Sequence, residues 1–541
     1  MVRRSWWGWG AEGGGLTDGE VAGLGQLLGE RFGLDGRRQE PPPVQQLALP
    51  PPRVTLPSSL AAMASAADED RAAHSMGKSY RDVVRALRGE APHPPDLVLR
   101  PRSEPDVAAV LDWCATNRVA AVPYGGGSSV VGGVEPDVGD DFTGAVSVDL
   151  GALDQVLDVD PVSLAARIQA GTFGPAIEAQ LRRSGLTLRH FPQSFEWSTF
   201  GGWVATRAGG HFATGPTHID DLVESVRAVT PVGVIETRRL PGSGAGPSPD
   251  RMLIGSEGIF GIVTEAWVRV RRRPRWRGGG SCRFQTFGAG VDAVRALSQS
   301  GLMPSNCRLL DPLEAAVSGA GDQQHAVLMV GFESADHPVD AWSARAAQLV
   351  ADHGGQVDGA WGSDGEAAGG SEAASPDGAA AGWRAAFLRA PYVRDALVQL
   401  GVMCETFETA VTWDRFAALH DAVTGAVHAA LGEVGAGAGF LTCRFTHVYP
   451  DGPAPYFTVV APARRGAELD QWATIKAAAS EMVLGNGGTI THHHAVGRDH
   501  RRWYDRQRPP LFASAMQAAK DVLDPAGVCN PGVLLGPSPR R

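Results

Sequence analysis

Two stretches of the chain carry side chains able to do chemistry. Near its end, "ITHHHAVGRDH" sets His492, His493 and His494 side by side, with His500 close behind. Imidazoles titrate near neutral pH and ligate metals, so three together suit a metal site, a solvated surface patch or a catalytic pocket. Adjacent residues of one regular element cannot all converge on a single ion. The histidines follow "NGGTI", a turn and strand, where successive side chains point oppositely. That pattern predicts His492 and His494 facing one pocket and His493 facing away. The second stretch, "PYGGGSSVVGG" from Pro123 to Gly133, is neither GxGxxG nor the P-loop GxxxxGK[ST]. Its glycines allow close backbone approach, and its N–H groups with the Ser128 and Ser129 hydroxyls suit a pyrophosphate. Taken alone, such a turn is more often structural.

The elements around the glycine loop give it weight. "PDLVLRP" reads as a short strand, and "SEPDVAAVLDWCATNR" as a helix with Ser103 and Asp106 at capping-box spacing. "VAAVPY" is a strand that breaks into the loop. This order predicts an α+β or α/β nucleotide-binding domain. "AVSVDL", "QVLDVD" and "AARIQAG" continue it as strands, and "GPAIEAQLRRSG" as a helix. Residues 1–90 read as a helical, loop-rich segment, with a helix in "GLTDGEVAGLGQLLGERFG" and a proline-rich tether in "EPPPVQQLALPPPRV". "PRWRGGG", from Pro274 to Gly280, marks a boundary between domains over 91–275 and 276–541. Residues 359–382 are Gly/Ala/Ser-rich and aperiodic, which predicts a mobile surface insertion. No internal repeat is evident.

A chain of 541 residues exceeds one hydrophobic core. The net charge of −10, without a basic block, argues against nucleic acid. No apolar run reaches membrane-spanning length, and "MVRRSWWGWGAEGGG" lacks the apolar core of a secretion signal. The six cysteines are far apart with no CxxC pair, as in a cytoplasmic enzyme with reduced thiols.

Two further segments, "FPQSFEWSTFGGWVATRAGG" and "IGSEGIFGIVTEA", follow the glycine loop. In this order the three resemble the FAD-binding domain of the vanillyl-alcohol-oxidase/PCMH flavoprotein superfamily. "WWGWG", "YVRDAL", "ETAVTWDR", "THHHAVG" and "LDPAGVCNPGVLLG" narrow the resemblance to the alkyldihydroxyacetonephosphate synthase family, over nearly the whole chain. The resemblance implies an α+β protein: a PCMH-type FAD-binding domain of two α/β subdomains, a substrate or cap domain with a ferredoxin-like sheet, and a helical N-terminal segment. FAD contacts would come from Pro123, Tyr124, Gly125, Gly126, Gly127, Ser128 and Ser129, and from Gln193, Ser194, Phe195, Glu196, Trp197, Ser198 and Thr199. Thr206, Arg207, Ala208, Gly209, Glu257, Gly258, Ile259, Phe260, Gly261, Ile262 and Val263 would complete the set. Some superfamily members attach flavin through a histidine beside the glycines; Ser128 stands there, which implies non-covalent FAD.

The implied reaction exchanges the acyl chain of acyl-dihydroxyacetone phosphate for a long-chain fatty alcohol through a flavin N5 adduct, without net redox, in ether lipid biosynthesis. It needs a base for a C1 proton, a cation for the phosphate and polar groups around the leaving carboxylate. By resemblance, Tyr456 is the acid/base, and His492, His493 and His494 form a catalytic cluster without metal, expected to lower the tyrosine's pKa. Arg394 takes the substrate phosphate with a bidentate fork, Arg308 lies near the flavin, and His190 is a further functional histidine. The residues around His190 depart from the family pattern, and Ala495 replaces a usual glycine. The family also implies a homodimer and peripheral membrane contact for lipid substrates. The C-terminal "SPRR" shows no peroxisomal signal, so a cytoplasmic location is expected. The alternatives are an FAD oxidase or dehydrogenase of a 2-hydroxy acid or alcohol, and a flavin-binding protein without turnover.

Overall fold

The computed structural model describes residues 3–359, 361–366 and 379–536. Three sheets carry the site. In the first, strands Leu97–Leu99, Gly144–Asp149 and Val119–Tyr124 run parallel, with the short strand Ala64–Ser65 added at the edge. The helix Glu104–Asn117, whose first turn Ser103 caps through its side-chain oxygen, crosses from Leu97–Leu99 to Val119–Tyr124, the two strands that flank Gly144–Asp149. Val107, Val110 and Leu111 of that helix bury against Val119, Ala121 and Val146. The second sheet is antiparallel and five-stranded, with Ile262–Arg269 between Ala165–Gln169 and Val223–Thr230. The helix Phe200–Thr206 lies against it, burying Phe200 and Trp203.

The third sheet has eight strands and contains a repetition that the sequence hides. A strand, helix, strand, strand, helix unit over Trp276–Phe284, Phe287–Gln299, Asn306–Leu310, Ala326–Ser334 and Asp340–Asp352 recurs. Its second copy runs over Val402–Glu408, Trp413–Glu433, Phe440–Val448, Pro453–Pro462 and Glu468–Gly485. The halves join where Leu310 pairs with Arg444.

Three expectations about boundaries change. Ala64–Ser65 pairs with Leu97–Leu99, so the first sheet begins before residue 91. The helix Asp18–Phe32 packs Val21 and Leu28 onto Leu400, Val402 and Val460 of the third sheet's region, so residues 1–90 form no separate body. The glycines of "PRWRGGG" belong to the strand Trp276–Phe284, where a Cβ on Gly280 would come within 2.3 Å of Trp361. Close packing, rather than linker freedom, explains that run. At the other end, Val528 and Cys529 return to the first sheet, and Cys529 bridges Ala121.

Within the expected insertion, Gly362–Glu366 forms a strand on Trp276–Phe284 and a helix begins at Ala379; residues 360 and 367–378 lie outside the described residues. All six cysteines are buried and free. Among the described residues no helix is long and apolar enough to cross a membrane.

Candidate active site

A cavity of about 910 Å³ lies between the two smaller sheets and the third. One side is the glycine loop, all seven residues from Pro123 to Ser129. Gly126 sits so close to the neighbouring segment that a Cβ would lie 1.9 Å from the Trp197 carbonyl oxygen. The N-terminal segment fastens this loop: Arg4 donates to the Gly125 carbonyl at 2.6 Å, and the Lys78 N–H to that of Ser129 at 2.7 Å. Gln193, Ser194, Ser198, Thr199, Thr206, Ala208, Gly209, Glu257, Gly258, Gly261, Ile262 and Val263 also line the cavity. Thr199 and Asn530 border it, and their Oγ1 and Oδ1 are buried without a hydrogen-bond partner. Such atoms await an acceptor or donor.

Other expected flavin contacts point elsewhere. Phe195 stacks on Trp203, and the Trp197 indole donates to Tyr392 at 3.0 Å. Glu196 is exposed, Arg207 pairs with Asp220, and Ile259 and Phe260 fill the core of the second sheet. These are corrections to the sequence expectation: the segments line the cavity, but Phe195–Trp197, Arg207 and the pair Ile259 and Phe260 within them turn away from it. His190 is corrected too. It is buried behind Gly210 against Trp203, outside the cavity lining, with Nε2 unpartnered.

At the far end of the cavity stand Arg308, Arg444, Thr446, His447, Tyr456, His493 and His494. The strand Phe440–Val448 supplies three of them because a bulge between Phe445 and His447 breaks the alternation. Thr446 and His447, neighbours in sequence, therefore face the same space. The histidine segment is an irregular loop instead of a strand, so its side chains do not alternate as predicted. His493 and His494 reach the cavity, whereas His492 turns to Tyr449, its Nε2 lying 2.7 Å from the phenol oxygen. Glu408 forces this shape. Its buried carboxylate accepts the N–H groups of His492, His493 (3.1 and 3.2 Å) and His494 (2.9 Å), together with the Thr491 hydroxyl at 2.7 Å. Burial alone would raise its pKa, but the neighbouring imidazoles and the Thr491 hydroxyl hold it well below the carboxylate range. Glu257 takes the other end, accepting from Val496 at 2.9 Å and Gly497 at 2.8 Å.

The electrostatics revise two expectations. Burial raises the Tyr456 phenol pKa despite the Arg444 guanidinium 4.0 Å above its ring, so the histidines do not lower it. They cannot, because burial keeps His493 (pKa about 3) and His494 neutral. Arg394 borders the cavity, but Asp395 already occupies one edge of its fork, through Nε at 3.0 Å and Nη2 at 2.6 Å. A second bidentate partner on that edge is excluded while Asp395 stays. Burial first, then Arg444, lowers the Arg308 pKa to about 9.

Sequence reasoning missed Glu408, His447, Arg444 and Asn530. "FETAV" did offer a signal, a charged residue inside an apolar strand. His447 offered none, since the bulge that aims it is invisible to periodicity.

Beyond the polar end, the cavity is walled by Leu16, Leu24, Leu27, Val317, Phe387 and Leu397. Leu27 and Val317 are 61% and 62% exposed, which puts an apolar mouth at the surface.

Residues 95–238 match the model of an FAD binding domain, and 273–534 that of the C-terminal domain of FAD linked oxidases. The chain is 31% identical to an alkyldihydroxyacetonephosphate synthase of Trypanosoma brucei brucei, over 87% of this chain and 78% of that one. It is 29% identical to the enzyme of that name from Dictyostelium discoideum, over 86% and 77%. A solved alkyldihydroxyacetonephosphate synthase structure superposes with a TM-score of 0.79 at 25% identity, covering 97% of this chain and 98% of the other. With the site built from the same segments that carried the resemblance, the chain belongs to the alkyldihydroxyacetonephosphate synthase family.

Proposed function

We propose that the protein is an FAD-dependent transferase that exchanges the acyl chain of acyl-dihydroxyacetone phosphate for a long-chain fatty alcohol, giving an alkyl ether and a free fatty acid in ether lipid biosynthesis. One observation carries this reading: a single cavity joins a glycine-loop cradle, a buried polar end with Tyr456, His493, Arg308 and Arg394, and an apolar arm open to the surface. A 2-hydroxy-acid dehydrogenase would need only the first two.

The residues present fit FAD. The glycine loop offers close backbone approach, and Thr199 and Asn530, each with a buried oxygen that has no protein partner, line the same space. No histidine lies in the loop, which supports non-covalent binding. When bound, the flavin supplies the reactive ring nitrogen that makes the acyloxy group a feasible leaving group. The chain's own residues then have defined work. His493 and His494, neutral at pH 7, can accept the C1 proton. Tyr456, kept protonated by burial, can donate a hydrogen bond to the departing carboxylate, and Arg444 over its ring holds positive charge beside it. Arg394 and Arg308 bring positive charge for the phosphate, Arg394 as a charge held in place by Asp395 rather than as a free fork. The apolar arm suits an alkyl chain, and its exposed Leu27 and Val317 suit shallow contact with a lipid surface.

Incubating the purified flavoprotein with acyl-dihydroxyacetone phosphate and a labelled fatty alcohol tests the reading. Labelled alkyl ether and an equal amount of free fatty acid are expected without any electron acceptor. Substrate consumption that requires an acceptor contradicts it.

A further inference from the structure

His447, His492 and His493 form a cluster that the roles assigned above, in which only His493 takes part, do not account for. His447, His492 and His493 each bring a ring nitrogen within 4.8 Å of the other two. The nearest pair, Nδ1 of His492 and Nδ1 of His493, is 3.0 Å apart. Each ring is also held by hydrogen-bonding groups, among them the Thr446 hydroxyl 3.1 Å from Nδ1 of His447. Nε2 of His447 donates to the Gly210 carbonyl at 3.0 Å, and Nε2 of His492 lies 2.7 Å from the Tyr449 hydroxyl. Tyr449 is in turn 2.9 Å from the Thr217 hydroxyl. Metal-ligating imidazoles are held by such outer hydrogen bonds, which fix tautomer and ring angle. Glu408 adds negative charge, with an oxygen 3.6 Å from Nδ1 of His493. His447 and His493 border the cavity, so a fourth position is left open toward it, as in a tetrahedral site with one exchangeable ligand. Adjacent histidines from a strand would not converge in this way; the Glu408-bound loop and the bulge before His447 make it geometrically available.

We propose that His447, His492 and His493 bind one zinc-class divalent ion, and that the bound ion arrests turnover by occupying His493. Imidazole nitrogens suit an ion of borderline softness, and an all-nitrogen set of this kind disfavours magnesium and calcium. The binding stands on the geometry alone; the arrest rests on the proposed transferase reading.

Cobalt(II), a coloured stand-in for zinc, tests the site in the FAD-loaded full-length protein. The expected result is one cobalt per chain, with four-coordinate d–d absorption to the red of the flavin bands, displaced by zinc and removed by a chelator. His447→Asn should abolish that signal. Tyr449→Phe leaves all three ligands in place and should weaken binding by roughly ten- to a hundredfold. Exchange activity should fall in step with zinc occupancy and return on chelation. Absence of a four-coordinate signal, or undiminished affinity in both variants, overturns the site. Full turnover with zinc bound overturns the arrest. Stoichiometric cobalt binding in a protein that shows no exchange activity when metal-free supports the site while contradicting the transferase reading.

Discussion

Glu408 and Glu257 hold opposite ends of one loop, Glu408 from a strand and Glu257 from a turn. Glu408, at the end of a strand in the eight-stranded sheet, accepts the backbone N–H groups of the three histidines. Glu257, from the segment beside the glycine loop, accepts those of Val496 and Gly497. The histidine loop is therefore a clasp between the flavin side and the substrate side of the cavity.

Glu408→Gln should break the clasp at its substrate end. Both oxygens of Glu408 accept N–H groups, so an amide NH₂ must face a donor in either orientation. The expected loss is roughly 2–3 kcal/mol of stability, the scale of hydrogen bonds to a charged group. Misplacing His493 should also lower kcat by roughly a hundredfold. Urea unfolding and steady-state exchange rates check the two effects, and bound FAD should remain.

Tyr456→Phe should lower kcat by roughly 10² to 10³, the range for losing one positioned donor to a developing anion. The ring still packs under Arg444, so fold and flavin absorbance should be unchanged. Full activity in this variant would remove Tyr456 from the chemistry.

Thr199→Val removes a buried hydroxyl that has no protein partner. If FAD is that partner, the variant should lose about 1 kcal/mol of cofactor binding, about a fivefold increase in the FAD Kd. Equilibrium titration of the flavin-free protein measures it; an unchanged Kd would place FAD away from Thr199.

Glu257 makes stability fall with rising pH. Burial raises its pKa from 4.5 to about 7, against the lowering effect of the Val496 and Gly497 N–H groups. The folded protein then binds more protons than the unfolded chain between those values, so this contribution is complete below pH 4.5 and is lost as pH rises through 7. At about 1.4 kcal/mol per pH unit the slope is measurable. Glu257→Gln should flatten it in urea-unfolding curves taken across that window.

The sequence showed the site unevenly, for identifiable reasons. The glycine loop and its flanking segments announced themselves because close backbone approach restricts residue type, as at Gly126. The repeated unit of the third sheet was invisible because the two halves share packing geometry and not residues. The orientation of the three histidines was misread because their segment obeys Glu408, more than eighty positions earlier, instead of strand alternation. Phe195, Ile259 and Phe260 were misassigned because runs of consecutive residues between the lining positions of each segment turn away from the cavity to pack. Contacts distant in sequence decide such details, and periodicity reports only local ones.

An anaerobic absorbance titration of the FAD-loaded protein tests the central claim most directly. Acyl-dihydroxyacetone phosphate should bleach the flavin band, and a fatty alcohol, added with no electron acceptor present, should restore it as alkyl ether forms. Bleaching only by a D-2-hydroxy acid, reversed only by an acceptor, would contradict the transferase and make the protein a dehydrogenase.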